Sequence, residues 1–131
     1  MATKVIQWGT GYTGAYALRY LINNPAYELV GVKCVTDAKE GVDAGEIAGL
    51  APVGVAATRD SEALLASDAE VVIYMPRDPL ADPSVPGSPS RAWYEELLPI
   101  LASGKNVITP LCSGTHYKHL ADPDGFLSGI N

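Results

Sequence analysis

Apolar positions along the chain switch between two rhythms, and the switches divide it into short elements. Lys4 to Trp8 is a brief, β-branched apolar run, with the character of a strand buried on both faces of a parallel sheet. From Tyr12 to Asn23 the apolar residues Ala17, Leu18, Leu21 and Ile22 recur at helical spacing, with Arg19 and Asn23 opposite. Asn24-Pro25 stops that helix. Tyr27 to Val35 (YELVGVKCV) predicts a second strand, reached by a right-handed crossover that makes the two strands parallel neighbours. Gly41 to Leu50, with glycine at three positions, predicts a turn and one or two turns of helix. Val53 to Ala57 predicts a third strand, and Asp60 stands where an N-cap belongs, ahead of Glu62 to Ala66. Val71-Val72-Ile73-Tyr74, inside Glu70 to Met75, is the strongest buried-strand signal in the chain.

The rhythm then breaks. Between Pro76 and Pro89 stand five prolines, which leaves a loop and no regular element. Ser90 is placed to cap a helix from Arg91 to Ser103, whose apolar stripe is Trp93, Leu97 and Leu101, joined by Ile100. Glu95 and Glu96 fall on its solvated face, and Pro99 predicts a kink. Gly104 ends it, Asn106 to Thr109 predicts a fifth strand, and Asp122-Pro123 reads as a further helix start. Strands and helices in this order predict an α/β fold, a doubly wound parallel sheet ordered 3-2-1-4-5.

One junction carries chemistry. The first strand opens into Gly9-Thr10-Gly11-Tyr12-Thr13-Gly14, a G-x-G-x-x-G loop between a strand and a helix, the placement that a dinucleotide site requires. Gly9 lets the chain turn sharply, Gly11 lets backbone approach a pyrophosphate, and Gly14 removes a Cβ where the helix packs closely. The unpartnered N–H groups of the first helical turn favour an anion there. The second strand delivers the chain to Thr36-Asp37-Ala38-Lys39, with Asp37 a little over twenty residues beyond Gly14. An acid at that point accepts hydrogen bonds from the ribose hydroxyls of NAD, whereas Lys39 beside it suits the 2′-phosphate of NADP. Both cofactors are therefore expected. The loop after the fourth strand lies at the sheet's switch point, so Met75, Pro76 and Arg77 are expected beside the nicotinamide half. His116 and His119, past the fifth strand, have the unperturbed pKa for proton transfer, although surface histidines are common.

Composition narrows the partners. At 131 residues the chain suits one domain, and 47% hydrophobic with 18% charged residues is globular composition. Fifteen acids against nine Lys and Arg give a net charge of −6, with no basic cluster, so nucleic acid is not an expected partner. No apolar stretch approaches the ~18 residues of a membrane span, and Met-Ala-Thr-Lys leads straight into a strand without the apolar core of a signal peptide. Cys34 and Cys112 are two and far apart, expected to stay reduced in a cytoplasmic protein, with Cys34 a small core residue in a strand. No Cys/His spacing suggests a metal site.

Three stretches, VIQWGTGYTG, DAGEIAGL and GKNVITP, together resemble the N-terminal half of dihydrodipicolinate-reductase-like oxidoreductases, the branch with 2,4-diaminopentanoate dehydrogenase and native amine dehydrogenases. The resemblance covers nearly the whole chain. It implies a Rossmann domain over residues 1–131, followed in the parent enzyme by a substrate domain outside this chain. It also implies hydride transfer between NAD(P)H and an imine- or carbonyl-type carbon of a small substrate. Gly9 to Gly14 would hold the pyrophosphate, and Thr36 to Lys39 would select the cofactor. The amine-dehydrogenase members imply a glutamate just after the fifth strand, and Pro110 to His119 contains none. The other functions the residues leave open are a dinucleotide-binding or sensing module without turnover and an apo domain that acts only through protein contacts. A strand-five edge lacking its usual cover predicts a homo-oligomer.

Overall fold

The computed structural model describes residues 1–76 and 91–110, the side chains of 91–95 aside. Five strands, β1 (Thr3–Trp8), β2 (Tyr27–Lys33), β3 (Ala57–Thr58), β4 (Val71–Tyr74) and β5 (Asn106–Ile108), form one parallel sheet ordered β3-β2-β1-β4-β5. Four helices join them: α1 (Tyr12–Asn23), α2 (Ala44–Ile47), α3 (Ser61–Ala66) and α4 (Arg91–Ala102). The expected architecture and strand order are those observed.

Residues on alternate sides of the strands feed two cores. Ile6 and Trp8 on β1 and Val72 and Tyr74 on β4 meet Leu64 of α3 and Leu97 and Ile100 of α4 in one cluster. On the other side Leu18 of α1 packs with Val32, Cys34, Ala44 and Ala57. The stripe read on the first helix is real in space: Gly14, Leu18 and Leu21 are buried, and Arg19 and Asn23 are exposed. Helix α4 carries its stripe through Pro99, which lies inside the helix, with Leu97 and Ile100 buried. Ser90 and the side chains of Trp93 and Glu95 lie outside the described residues. Glu96 departs from the expected solvated face. Its Oε1 accepts a 2.8 Å hydrogen bond from the Oη of fully buried Tyr74, whose phenol is pushed well above its usual pKa by burial first and the Glu96 charge second.

The third strand is shorter and later than expected, at Ala57–Thr58 instead of Val53–Ala57. The reason is Asp43. Its side chain accepts from the N–H groups of Gly45 and Val53 on Oδ1, at 2.7 and 2.8 Å, and of Gly54 on Oδ2, at 2.7 Å. Two of the backbone donors that a strand at 53–54 would have used are thus occupied, and Gly54 takes a φ of +84° that no strand contains. Ala56 forms an isolated antiparallel bridge with Asp43 before the chain straightens. The same carboxylate caps α2, one turn of helix. The second strand ends at Lys33, two residues early, although Cys34 still donates to the Thr58 carbonyl at 3.0 Å. Cys34 is buried and unbridged just past the strand, and burial holds its thiol above the usual pKa; Cys112 lies outside the described residues.

Candidate functional site

The glycine loop occupies the carboxyl end of β1, held from both sides. The Gly9 N–H donates to the Lys33 carbonyl at 3.0 Å, and the Met75 N–H donates to the Trp8 carbonyl at 2.7 Å. This fixes the ends of β1, β2 and β4 in one ring around the turn. Two of the three glycines then have a distinct structural reason to lack a side chain. Gly9 sits at φ +107°, and a Cβ there would lie 2.2 Å from the Met75 carbonyl oxygen. A Cβ on Gly14 would lie 2.2 Å from the Gly9 carbonyl oxygen, so this glycine lets the first turn of α1 press against the loop that precedes it. A Cβ on Gly11 would meet nothing within 4 Å. Gly9 and Gly14 are required by the fold, whereas Gly11 faces open space.

Beneath the loop lies Gln7, completely buried, its Nε2 donating to the Gly9 carbonyl at 3.1 Å. Among the described residues its Oε1 has no partner. A buried amide under a backbone turn fixes the carbonyl's direction at the cost of an unsatisfied acceptor. The signal for it was present in the sequence as a lone polar residue in an apolar strand. Lys33 gives the same signal in YELVGVKCV. It is 8% exposed, with its ammonium 5.9 Å from the centroid of the Trp8 ring, and it donates to the carbonyls of Cys34 at 3.2 Å and Arg59 at 2.9 Å.

An open cleft of about 470 Å³ runs between the loop and the segment after β2. Thr10, Gly11, Tyr12 and Ala15 line one side, and Ala38, Lys39, Val42, Glu46 and Ile47 the other. Lys39 bridges the two, its Nζ donating to the Thr10 carbonyl at 2.5 Å. Thr36 and Asp37 begin a single 3₁₀ turn, Asp37–Lys39, at the mouth of this cleft, and both are exposed. The Asp37 carboxylate pairs with the guanidinium of Arg59, just past β3. Arg59 carried no sequence signal: it follows the third strand, one residue before the Asp60 cap, and only the β2–β3 pairing brings it to Asp37.

The structure therefore gathers Gly9 to Gly14, Thr36, Asp37, Lys39, Met75 and Pro76 at the carboxyl end of the sheet, where Met75 and Pro76 pack their backbones against Gly9. Arg77, His116 and His119 lie outside the described residues. The cleft thus has the head of α1 and the Lys39 ammonium on its walls, with Asp37 next to Ala38 at the end of β2. Among the described residues no group of His, Cys, Asp or Glu is placed to hold a metal ion, and no helix is long and apolar enough to cross a membrane.

No family model matches the chain. Over 72 residues, 54% of its length, it is 42% identical to an amine dehydrogenase of Streptomyces virginiae. The match relates the chain to an oxidoreductase. The chain spans about a fifth of that relative's length.

Proposed function

We propose that this chain is the NAD(P)-binding part of an oxidoreductase that moves hydride between a nicotinamide cofactor and an imine- or carbonyl-type carbon of a small substrate. The observation that carries the reading is the division of labour among the three glycines. Two are demanded by backbone oxygens that a Cβ would meet at 2.2 Å, and the third, Gly11, borders an open cleft beside the head of a helix. A turn that only joined a strand to a helix would have no use for a bare backbone at Gly11. A pyrophosphate would. Gly11, Tyr12 and Thr13 would present N–H groups to the diphosphate, Lys39 would add a positive charge, and Asp37 would meet the adenosine ribose. Met75 and Pro76 would border the nicotinamide half. When bound, the cofactor supplies the hydride chemistry; these residues bind and orient it.

The likeness to an amine dehydrogenase supports this reaction class. Calorimetric titration with NAD(H) and NADP(H) tests the proposal. Binding of both below millimolar concentration is expected, with modest discrimination. A folded chain that binds neither would remove it.

A further inference from the structure

Arg59 is held in an unusual way for a surface residue. Its backbone N–H donates to the Glu40 carboxylate at 2.6 Å, and its carbonyl accepts from the buried Lys33 ammonium at 2.9 Å. Glu40 also accepts from the Thr58 hydroxyl at 3.4 Å, so the carboxyl end of β3 is tied to the turn that follows β2. Two charged side chains thus fix the backbone of Arg59, while the side chain itself is half exposed and, among the described residues, paired with Asp37, 90% exposed. An exposed pair of this kind is worth little and is easily exchanged for a better partner. The guanidinium has five donors in a fixed fork, and its geometry matches a phosphate better than a lysine does.

Resting on the dinucleotide reading above, we propose that Arg59 receives the 2′-phosphate of NADP(H), with Asp37 as the counter-ion that the phosphate displaces. Asp37 opens the turn whose Ala38 and Lys39 line the cleft, which puts it where the adenosine ribose would lie, and a phosphate monoester there carries close to two negative charges at neutral pH. Left alone, Asp37 would repel it. With Arg59 fixed beside it, the same site can serve both cofactors. For NAD the carboxylate faces the ribose hydroxyls while Arg59 balances its charge. For NADP the guanidinium turns from the carboxylate to the phosphate. Lys39 is the weaker candidate, because its ammonium is already engaged by the Thr10 carbonyl.

The test is calorimetric titration of the wild-type chain, Arg59→Gln, Asp37→Asn and the double variant with NADP⁺, NAD⁺, 2′,5′-ADP and 5′-AMP. Arg59→Gln should weaken NADP⁺ and 2′,5′-ADP by about tenfold or more, the loss of one charge-assisted hydrogen bond, and leave NAD⁺ and 5′-AMP nearly unchanged. Asp37→Asn should strengthen NADP⁺. The deciding comparison is Arg59→Gln in the Asp37→Asn background. If Arg59 acts on the phosphate, the loss persists there; if it only neutralises Asp37, the loss vanishes and the proposal falls. It also falls if Arg59→Gln weakens NAD⁺ and NADP⁺ equally. A wild-type chain that binds neither dinucleotide would instead overturn the cofactor reading and this proposal with it. Circular dichroism melts of each variant establish that it is folded, as the exposure of both side chains leads one to expect.

Discussion

Gly9, Gly11 and Gly14 are one motif in the sequence and three different residues in space. Alanine at Gly9 would force a Cβ onto the Met75 carbonyl at a φ of +107°, and alanine at Gly14 would force one onto the Gly9 carbonyl. Neither clash can be relieved by turning a flexible side chain, because both partners are backbone. Each substitution should destabilise the fold by about 3 kcal/mol, the upper range for overpacking, as read by urea denaturation. Gly11→Val has a different expected outcome. Gly11 has φ −72° and ψ −164°, which valine adopts readily, and its Cβ would meet no neighbour. Its stability should stay within about 1 kcal/mol of the wild type, while titration with NAD(H) shows no binding. Retained binding in Gly11→Val would place the pyrophosphate elsewhere.

At the scale of elements, DAGEIAGL shows how a stretch that resembles a family can owe its pattern to folding. Asp43 gathers three backbone N–H groups, Ala44 and Ala48 are buried, and a Cβ on Gly45 would lie 2.0 Å from the Ala51 carbonyl oxygen. The Asp43 carboxyl is held below the ordinary carboxylate pKa, chiefly by the Val53 N–H; desolvation, the next largest effect, opposes this, and the N–H groups of Gly45, Gly54 and Val55 outweigh it together with Val53. A carboxyl depressed in the folded state contributes stability above its unfolded pKa. That stability is lost as pH falls through the folded value. The melting temperature of the wild type should therefore decline below about pH 4. Asp43→Asn should melt several degrees lower at neutral pH and show a flatter acid limb. An unchanged acid limb in that variant would assign the decline to other carboxylates.

At the scale of the molecule, the two faces of the sheet differ. Helices α3 and α4 cover Ile6, Trp8, Val72 and Tyr74, whereas on the opposite face the row Gln7, Ile73 and Ile108 runs from a buried centre to an edge where Ile108 is 59% exposed. Strand β5 is the sheet's edge among the described residues. An exposed apolar side chain on an edge strand favours pairing with a second copy. We propose that the homo-oligomer expected from the sequence forms through that edge. Sedimentation at micromolar concentration should show self-association in the wild type and less in Ile108→Lys. Equal masses for the two would move the interface away from β5.

How much of this was legible in the sequence depends on the distance over which each feature is decided. The five strands, the four helical segments and their order follow from local periodicity and from glycine, proline and capping residues, which act within a few positions of themselves. The glycine loop was legible for the same reason, since strand, turn and helix are contiguous. The start of β3 was not. The pattern in Val53 to Ala57 is strand-like, but Asp43, ten residues away, takes the donors the strand needed. Glu96 reads as solvated because it is charged, follows Glu95 and falls outside the stripe of Trp93, Leu97 and Leu101, and only the packing of α4 on β4 brings it to Tyr74. The polar side chains of Gln7 and Lys33 were visible as exceptions within apolar runs; Gln7 meets the nearby Gly9 carbonyl, whereas Lys33 required Arg59 past β3 and the Trp8 ring on β1. The pairing of Arg59 with Asp37 had no local trace, because it spans twenty-two residues and depends on the parallel register of β2 and β3. Sequence by itself determined which segments form and what the backbone must do at Gly9 and Gly14. The tertiary structure decided which charges meet at the mouth of the cleft, because parallel strands bring together chain ends that no local interaction connects.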